Sequence, residues 1–174
     1  KVNEEQPVKA LELKPDEANR VSAQQMTNDQ SRLVLLGDPG SGKTTLVNFV
    51  AHVLAKAGIE GKSWLDRLEE KGDWEHGALV PVRVILREFA ESFPSDAKTG
   101  KAELVTGFIE AQFHALGVDA FWDHLREHLA EPESPVLFIF DGLDEVPPHL
   151  REPVVESIDA FSGRYRNHRS LVTC

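Results

Sequence analysis

The chain is poor in cysteine and has no long hydrophobic run. It has 174 residues and one cysteine, Cys174, so an internal disulfide is excluded and a reducing compartment is expected. The longest apolar runs, such as Leu33–Leu36 and Val136–Phe140, have the length of a strand and are too short to span a membrane. The first residues, Lys1–Glu5, are polar and charged, unlike the start of a signal peptide. These absences predict a cytoplasmic protein without a membrane-spanning segment.

Positive charge is also scarce. The chain has 19 Lys and Arg against 29 Asp and Glu, which gives a formal net charge of −10. Nonspecific binding of nucleic acid needs clustered Lys and Arg, and the only cluster of this kind is Arg164–Arg169. A solvated helix end or loop is the favoured interpretation of that cluster. No direct contact with nucleic acid is therefore expected.

What the sequence does contain is an alternation of strand-like and helix-like segments. Residues 1–30 are polar and predict a lead-in or linker, in which only Val8–Leu13 suggests a short strand, and residues 31–174 are predicted to form one domain. Hydrophobic spacing predicts strands at Leu33–Leu36, Leu79–Leu86, Val136–Phe140 and Leu171–Thr173, and helices at Leu46–Ala57 (ending at Gly58), Ser63–Glu70, Ala102–Leu116, Asp119–Leu129 and Pro148–Phe161.

This alternation predicts a three-layer α/β fold with a parallel sheet and helices on both faces. The fourth predicted strand is still open at Cys174. We therefore expect a domain that is truncated after its fourth core strand.

A glycine-rich segment follows the first predicted strand. Gly37–Thr44, "GDPGSGKT", matches the phosphate-binding pattern G-x-x-x-x-G-K-[ST] between a strand and a helix. The glycines tolerate unusual dihedral angles and a close approach of phosphate, Lys43 brings a positive charge, and Thr44 offers a hydroxyl group to Mg²⁺. The alternative is an incidental glycine-rich turn. The predicted nucleotide-binding residues are Gly37, Asp38, Pro39, Gly40, Ser41, Gly42, Lys43, Thr44 and Thr45.

A phosphate loop needs a metal partner, which we expect to be an aspartate at the end of a neighbouring strand. "VLFIFD" supplies Asp141 at the carboxyl end of a buried strand, which is the edge where ligands bind in open α/β sheets. Asp141 is therefore predicted to bind Mg²⁺, through a water molecule, together with Thr44. The alternative is an aspartate that caps a helix or a turn.

Two further acids follow Asp141 after a short interval. Many ATPases place a catalytic glutamate directly after the metal-binding aspartate, but here that position is Gly142. A loop that turns at Gly142 would bring Asp144 or Glu145 towards the γ-phosphate to polarise a water molecule, so both are predicted catalytic residues. The alternative is a solvated loop in which these acids cap the helix over Pro147–Phe161.

"GDPGSGKTT" followed by "VLFIFDGLDEVP" resembles the NACHT branch of the STAND class of P-loop nucleotide triphosphatases (NTPases), which implies the three-layer fold of P-loop NTPases. "VPVRVILREF" (Val80–Phe89) resembles the second strand of that family, and "RSLVTC" (Arg169–Cys174) resembles the start of its sensor-1 strand. The resemblance implies a signalling switch that binds ATP, ADP and Mg²⁺ and hydrolyses ATP slowly. ADP would hold a closed monomer, and ATP would open it to self-associate around an effector outside this chain.

The resemblance also implies that this chain is a nucleotide-binding part of the switch. The family's sensor arginine would follow Cys174, and its helical and winged-helix modules would come later. We therefore expect the chain to bind nucleotide without completing the switch, so that its ATP turnover differs from that of a longer chain.

Two other functions remain open. One is a fast metabolic or DNA-processing P-loop ATPase, which Gly142 disfavours, and the other is a nucleotide-binding module that does not hydrolyse ATP. A guanine nucleotide is disfavoured because the chain has no Asn-Lys-x-Asp segment. The segment Val21–Gln30 is a candidate for contacts with adenine.

Two weaker signals complete the sequence. "HLREH" (His124–His128) matches a pattern of some zinc proteases, but a solvated helix face is favoured. Arg87 is placed to reach the acidic loop or the γ-phosphate, and an ion pair with Glu88 or Asp144 is an equal alternative.

Overall fold

The structure is a computed structural model that describes residues 27–68, 74–94, 99–130 and 136–174. The strand predicted at Val8–Leu13 lies outside the described residues. The strands are β1 (Arg32–Leu35), β2 (Val80–Ile85), β3 (Val136–Asp141) and β4 (Arg169–Thr173). The helices are α1 (Lys43–Glu60), α2 (Leu86–Glu91), α3 (Ala102–Ala115), α4 (Asp119–Ala130) and α5 (Pro148–Arg164), with 3₁₀ segments at Lys62–Leu68 and Leu143–Glu145.

The four strands form one parallel sheet in the order β1-β4-β3-β2. Because all strands point the same way, their carboxyl ends meet at one edge. Helix α1 covers one face, and α3, α4 and α5 cover the other. The predicted α/β fold with a parallel sheet between two helical layers is therefore confirmed.

The strand order corrects one expectation. We expected Asp141 at the end of a strand that neighbours the strand of the phosphate loop, but β4 lies between β1 and β3. Strand β4 pairs with both of them, Leu33 with Leu171 and Ile139 with Leu171. Sequence adjacency gives no information about this order, since parallel strands are joined by crossovers that skip positions in the sheet.

Strand β3 is buried on both faces, which explains its uninterrupted apolar sequence. Leu137 and Ile139 pack with the buried residues of α1, whereas Phe138 and Phe140 belong to the cluster with α3, α4 and α5. Asp141 follows in the same alternation as Leu137 and Ile139, so its side chain projects from the α1 face of the sheet.

Several predicted boundaries differ from the observed ones by one to three residues, and two of these differences have a clear physical reason. Helix α1 continues to Glu60 because Gly58 has no positive φ and keeps the helix going. The helix ends at Gly61, whose φ of 114° and ψ of 161° lie in a region that glycine alone adopts readily. Strand β2 ends at Ile85 rather than Leu86, and Leu86 begins the short helix α2. Leu86 and Phe89 of α2 are fully buried, so packing in the core stabilises a helix that its length alone does not favour.

Candidate functional site

Residues 37–45, the predicted phosphate-binding segment, are called the phosphate loop below. They follow β1 and include the first residues of α1. Gly40 and Gly42 have φ of 81° and 88°, in the left-handed region that favours glycine. At Gly37 a Cβ atom would lie 2.7 Å from Ser41 Oγ, so a larger residue there would force the Ser41 side chain to turn away. Helix α1 begins at Lys43, and the backbone N–H groups of its first turn are free to bind an anion in this loop.

The loop is attached to the end of β4 and is covered by Lys43. The N–H of Gly37 donates to the carbonyl of Cys174 at 3.1 Å, and the N–H of Cys174 donates to the carbonyl of Leu35 at 3.0 Å. Lys43 Nζ donates to the carbonyls of Gly37 and Asp38, the latter at 3.1 Å. The ammonium group therefore lies across the loop that it follows in sequence.

Asp141 lies beside this loop, although it is 97 positions from Thr44. Its side chain is 5% exposed. Thr44 Oγ1 donates to Oδ1 at 3.3 Å and Thr173 Oγ1 donates to Oδ1 at 2.7 Å. Arg83 donates to Oδ2 from Nε at 3.2 Å and from Nη2 at 2.6 Å. The carboxylate of Asp141, on β3, is thus held by side chains of β2, β4 and α1.

The acidic loop turns at Gly142, as expected from the sequence. Gly142 has φ of 86°, and Leu143–Glu145 form a 3₁₀ turn. The N–H of Gly142 donates to Thr173 Oγ1 at 2.8 Å. Arg151 of α5 donates to the carbonyls of Val146 at 2.9 Å and Asp144 at 3.1 Å. These bonds hold the loop at both ends.

The two segments line one cavity of about 280 Å³. Residues 39–45 of the phosphate loop form one side, and Gly142, Asp144, Glu145 and Thr173 form the other. Gly37 and Asp38 contact Lys43 through their carbonyls, and Asp141 contacts Thr44. The structure therefore brings all the site residues predicted from the sequence into one region.

The alternative role of the acid pair as a helix cap is not observed. Helix α5 begins after Pro147, and no side chain makes a capping hydrogen bond there. Asp144 and Glu145 are both exposed. Their carboxylates are available to groups in the cavity.

The oxygen atoms of Thr44 and Asp141 suit a magnesium ion. Mg²⁺ is usually bound by one or two side-chain oxygens together with waters and phosphate oxygens. No group of three His, Cys, Asp or Glu side chains among the described residues is arranged to hold a metal. A Mg²⁺ ion at Thr44 and Asp141 would therefore need the phosphates of a nucleotide to complete its coordination.

Sequence reasoning missed three polar residues of this site: Arg83, Arg151 and Thr173. Arg83 carried a usable signal, because it is a charged residue inside the apolar run "VPVRVIL". Arg151 and Thr173 carried none, since their partners come from distant elements. Arg87, which the sequence singled out, is exposed and makes no ion pair with Glu88 or Asp144, both of which the structure describes.

The other sequence signals lie outside this cavity. His124 is exposed on α4 and packs on His128, with ring centroids 4.3 Å apart. The described part of the candidate adenine segment, residues 27–30, is bound by Arg169, which donates to the carbonyls of Thr27, Asn28 and Gln30 at 2.8, 2.7 and 2.6 Å. Arg169 opens β4, so this contact lies at the edge of the sheet opposite the phosphate loop.

The basic cluster Arg164–Arg169 is occupied by contacts within the protein. Arg164 pairs with Glu103 at 2.5 Å, and Arg166 Nε donates to the carbonyl of Gly163 at 2.9 Å. These contacts agree with its interpretation as a helix end and loop. In the part of the chain that the structure describes, no helix has the length and apolar character needed to cross a membrane.

Comparison with known proteins identifies one family. The family model described as "Nephrocystin 3, N-terminal" matches residues 18–174. Comparison with curated proteins and with solved structures gave no match.

Proposed function

The chain belongs to the nephrocystin 3 N-terminal family, and we propose that it is a nucleotide-controlled switch of the NACHT type that binds ATP and ADP with Mg²⁺ and hydrolyses ATP slowly. The observation that carries this proposal is the single cavity lined by residues 39–45 and by Asp144 and Glu145. In a switch of this type, the bound nucleotide controls self-association and an effector outside the chain.

Residues 37–45 would bind the phosphates. The left-handed glycines expose backbone N–H groups, and the start of α1 adds the positive end of a helix dipole. Lys43 already lies over the loop, so its ammonium group needs only a small movement from the Gly37 and Asp38 carbonyls to reach a phosphate oxygen. Adenosine has no phosphate group, so it would make none of these contacts.

Thr44 and Asp141 would hold the metal ion. A bound Mg²⁺ supplies charge neutralisation at the β- and γ-phosphates. The hydroxyl of Thr44 has two lone pairs for a cation while its proton is donated to Asp141. Asp141 therefore orients the lone pairs of Thr44 through this hydrogen bond.

Glu145 is the preferred general base, with Asp144 as the second candidate. Both carboxylates line the cavity. The Glu145 side chain folds back beside Gly142, since a Cβ atom built on Gly142 would lie 3.4 Å from Glu145 Cδ. A carboxylate at this position would accept a proton from the water that attacks the γ-phosphate. Asp141 is already fully engaged by four hydrogen bonds, which makes it a poor base.

The test is a comparison of nucleotide affinity and ATP turnover in Glu145→Gln, Asp144→Asn and the unchanged chain. Affinity is measured by fluorescence anisotropy of labelled ADP and ATP, and turnover by phosphate release. We expect Glu145→Gln to lower the rate constant about a hundred-fold while nucleotide affinity is retained. Glu127→Gln, on the exposed side of α4, is the matched control.

The remaining outcomes separate the alternatives. Loss of activity in Asp144→Asn alone would assign the base to Asp144. Binding without turnover in the unchanged chain would favour the module that does not hydrolyse ATP. Fast turnover, above about 10 per second, would favour a metabolic ATPase over a switch. Absence of nucleotide binding in the unchanged chain would refute the proposal.

A further inference from the structure

Arg83 is a charged residue in the middle of β2, and it lies on the side of the sheet that carries Asp141. In the register of β2 and β3, Arg83 is opposite Ile139, and Ile85 is opposite Asp141. Arg83 therefore lies on the strand next to that of Asp141, two positions before the residue that pairs with Asp141. At this distance its side chain reaches the carboxylate. The Arg83 side chain is 34% exposed, whereas Asp141 is 5% exposed. The guanidinium group is a counter-ion that can leave towards solvent, while the carboxylate cannot.

The hydrogen bonds of Asp141 use its whole capacity as an acceptor. An ionised carboxylate has about four lone-pair positions. Arg83 Nε and Nη2 take two on Oδ2, at 3.2 and 2.6 Å. Thr173 and Thr44 take two on Oδ1, at 2.7 and 3.3 Å. A water molecule bound to a metal ion therefore finds no free position on Asp141 unless one of these donors moves.

The two sets of donors differ in charge. Thr44 and Thr173 are neutral, so they orient the carboxylate without reducing its attraction for a cation. Arg83 places a full positive charge within hydrogen-bond distance of the same carboxylate. It therefore competes with a metal ion both for Oδ2 and for the negative charge of Asp141.

We infer that Arg83 sets the affinity of the site for Mg²⁺ by acting as the competing cation of Asp141. This inference rests on the proposed nucleotide site. Nucleotide with bound Mg²⁺ displaces the guanidinium group from Oδ2, and nucleotide without metal leaves it in place. Arg83 thereby lowers the contribution of Mg²⁺ to nucleotide affinity and makes release of the metal easier.

The measurable quantity is the ratio of the dissociation constant of labelled ADP in EDTA to that in saturating Mg²⁺. Arg83→Met removes both the charge and the hydrogen bonds, and Arg83→Gln removes the charge but keeps a hydrogen-bond donor in the side chain. We expect both variants to raise this ratio by about ten-fold, because a unit charge a few ångströms away is removed. Part of the rise should come from weaker binding in EDTA, because Asp141 without its counter-ion repels the phosphates, and the rest from tighter binding in Mg²⁺.

Arg126→Met is the matched control, since it removes an arginine that pairs with an aspartate, Asp123 at 3.1 Å, on the exposed surface of α4. Its ratio should equal that of the unchanged chain. Thermal unfolding in EDTA shows whether each variant is folded. If Arg83→Met is unfolded, Arg83→Gln tests the inference.

The outcomes separate this inference from the function on which it rests. If the unchanged chain binds ADP and the ratio in Arg83→Gln is equal or lower, Arg83 is not a competing cation and the inference is wrong. If the ratio falls in Arg83→Met and does not change in Arg83→Gln, Arg83 supports metal binding by orienting Asp141. That result also overturns the inference. If the unchanged chain does not bind ADP, the proposed function fails first.

Discussion

Thr173 joins two parts of the site through one hydroxyl group. It accepts a hydrogen bond from the N–H of Gly142 and donates one to Asp141 Oδ1. The side chain is buried, at 1% exposure, so its hydroxyl group depends on these two partners. Thr173 therefore links the start of the acidic loop to the carboxylate that we propose as the metal ligand.

Replacing Thr173 with valine should destabilise the protein. The change keeps the shape of the side chain but leaves the N–H of half-buried Gly142 and an oxygen of buried Asp141 without this partner, which costs about 1–3 kcal/mol. Urea unfolding measures the difference in the free energy of unfolding. Thr106→Val is the control, because its hydroxyl bonds the carbonyl of Glu103 within α3 near the surface, and its cost should stay within about 0.5 kcal/mol. Equal costs would contradict the role given to Thr173.

Helix α5 supports both the acidic loop and the segment that enters α3. Near its start, Arg151 bonds the carbonyls of the acidic loop. One turn later, Glu156 Oε2 accepts the N–H of Gly100 at 2.7 Å, and Ser157 Oγ accepts the N–H of Lys101 at 3.1 Å. The same helix therefore positions a part of the candidate site and the covering layer of the sheet.

Gly100 is the point of closest approach between this segment and α5. A Cβ atom at Gly100 would lie 2.2 Å from the carbonyl oxygen of Pro153 and 2.3 Å from the backbone nitrogen of Ser157. Because both neighbours are backbone atoms, they cannot move aside as a flexible side chain would. Gly100→Ala should therefore separate the segment from α5.

We expect Gly100→Ala to lower the free energy of unfolding by about 1–3 kcal/mol. Gly107→Ala in α3 is a matched control, since nothing lies within 4 Å of its Cβ position. That change should stabilise the protein by about 0.5–1 kcal/mol, because glycine is unfavourable inside a helix. Urea unfolding of both variants measures this contrast, and a neutral effect of Gly100→Ala would show that the segment can move away without cost.

His168 connects three elements at the edge of the sheet opposite the cavity. Its Nδ1 accepts a hydrogen bond from the N–H of Val136 at 3.1 Å, and its Nε2 lies 3.3 Å from the carbonyl oxygen of Leu129. With Nδ1 as the acceptor, Nε2 carries the proton and donates to Leu129. Burial lowers the pKa of His168, and the bond to Leu129 offsets part of this effect. The fold therefore requires neutral histidine at this position.

The stability of the protein should fall at mildly acidic pH. Since the pKa of His168 is lowered in the folded state, the unfolded chain takes up a proton first as the pH falls below about 6.5. The contribution of His168 to the free energy of unfolding is complete above pH about 6.5. It decreases as the pH falls from there to the lower pKa of His168 in the folded state. His168→Asn, which keeps an acceptor in the side chain, should flatten the dependence of the free energy of unfolding on pH below about 6.5.

His114 provides a control of opposite sign. Its hydrogen bond with Asp119, at 2.6 Å, raises its pKa, so its contribution is present below its unfolded pKa and is lost as the pH rises through the folded value. Both groups are exposed, so the effect is small. His114→Asn should leave the acid-side decrease in place. A decrease of equal slope in His168→Asn would exclude His168 as its source.

The short motifs of this protein were predictable from its sequence. A phosphate loop is specified by consecutive residues, because glycines at fixed spacing permit its dihedral angles and a following helix supplies its N–H groups. The alternation of strands and helices likewise indicated a parallel sheet, since hydrophobic spacing is a local signal. Asp141, Asp144 and Glu145 were identified for the same reason: they directly follow a buried strand.

The tertiary structure was needed for the partners of these residues. The insertion of β4 between β1 and β3 brings Thr173 to Asp141, and the register of β2 and β3 brings Arg83 to its other oxygen. Such contacts depend on strand order, on register and on which face a side chain takes, and these depend on how the whole core packs. No spacing in the chain encodes them, so the sequence predicted the candidate site residues but not the residues that hold them in place.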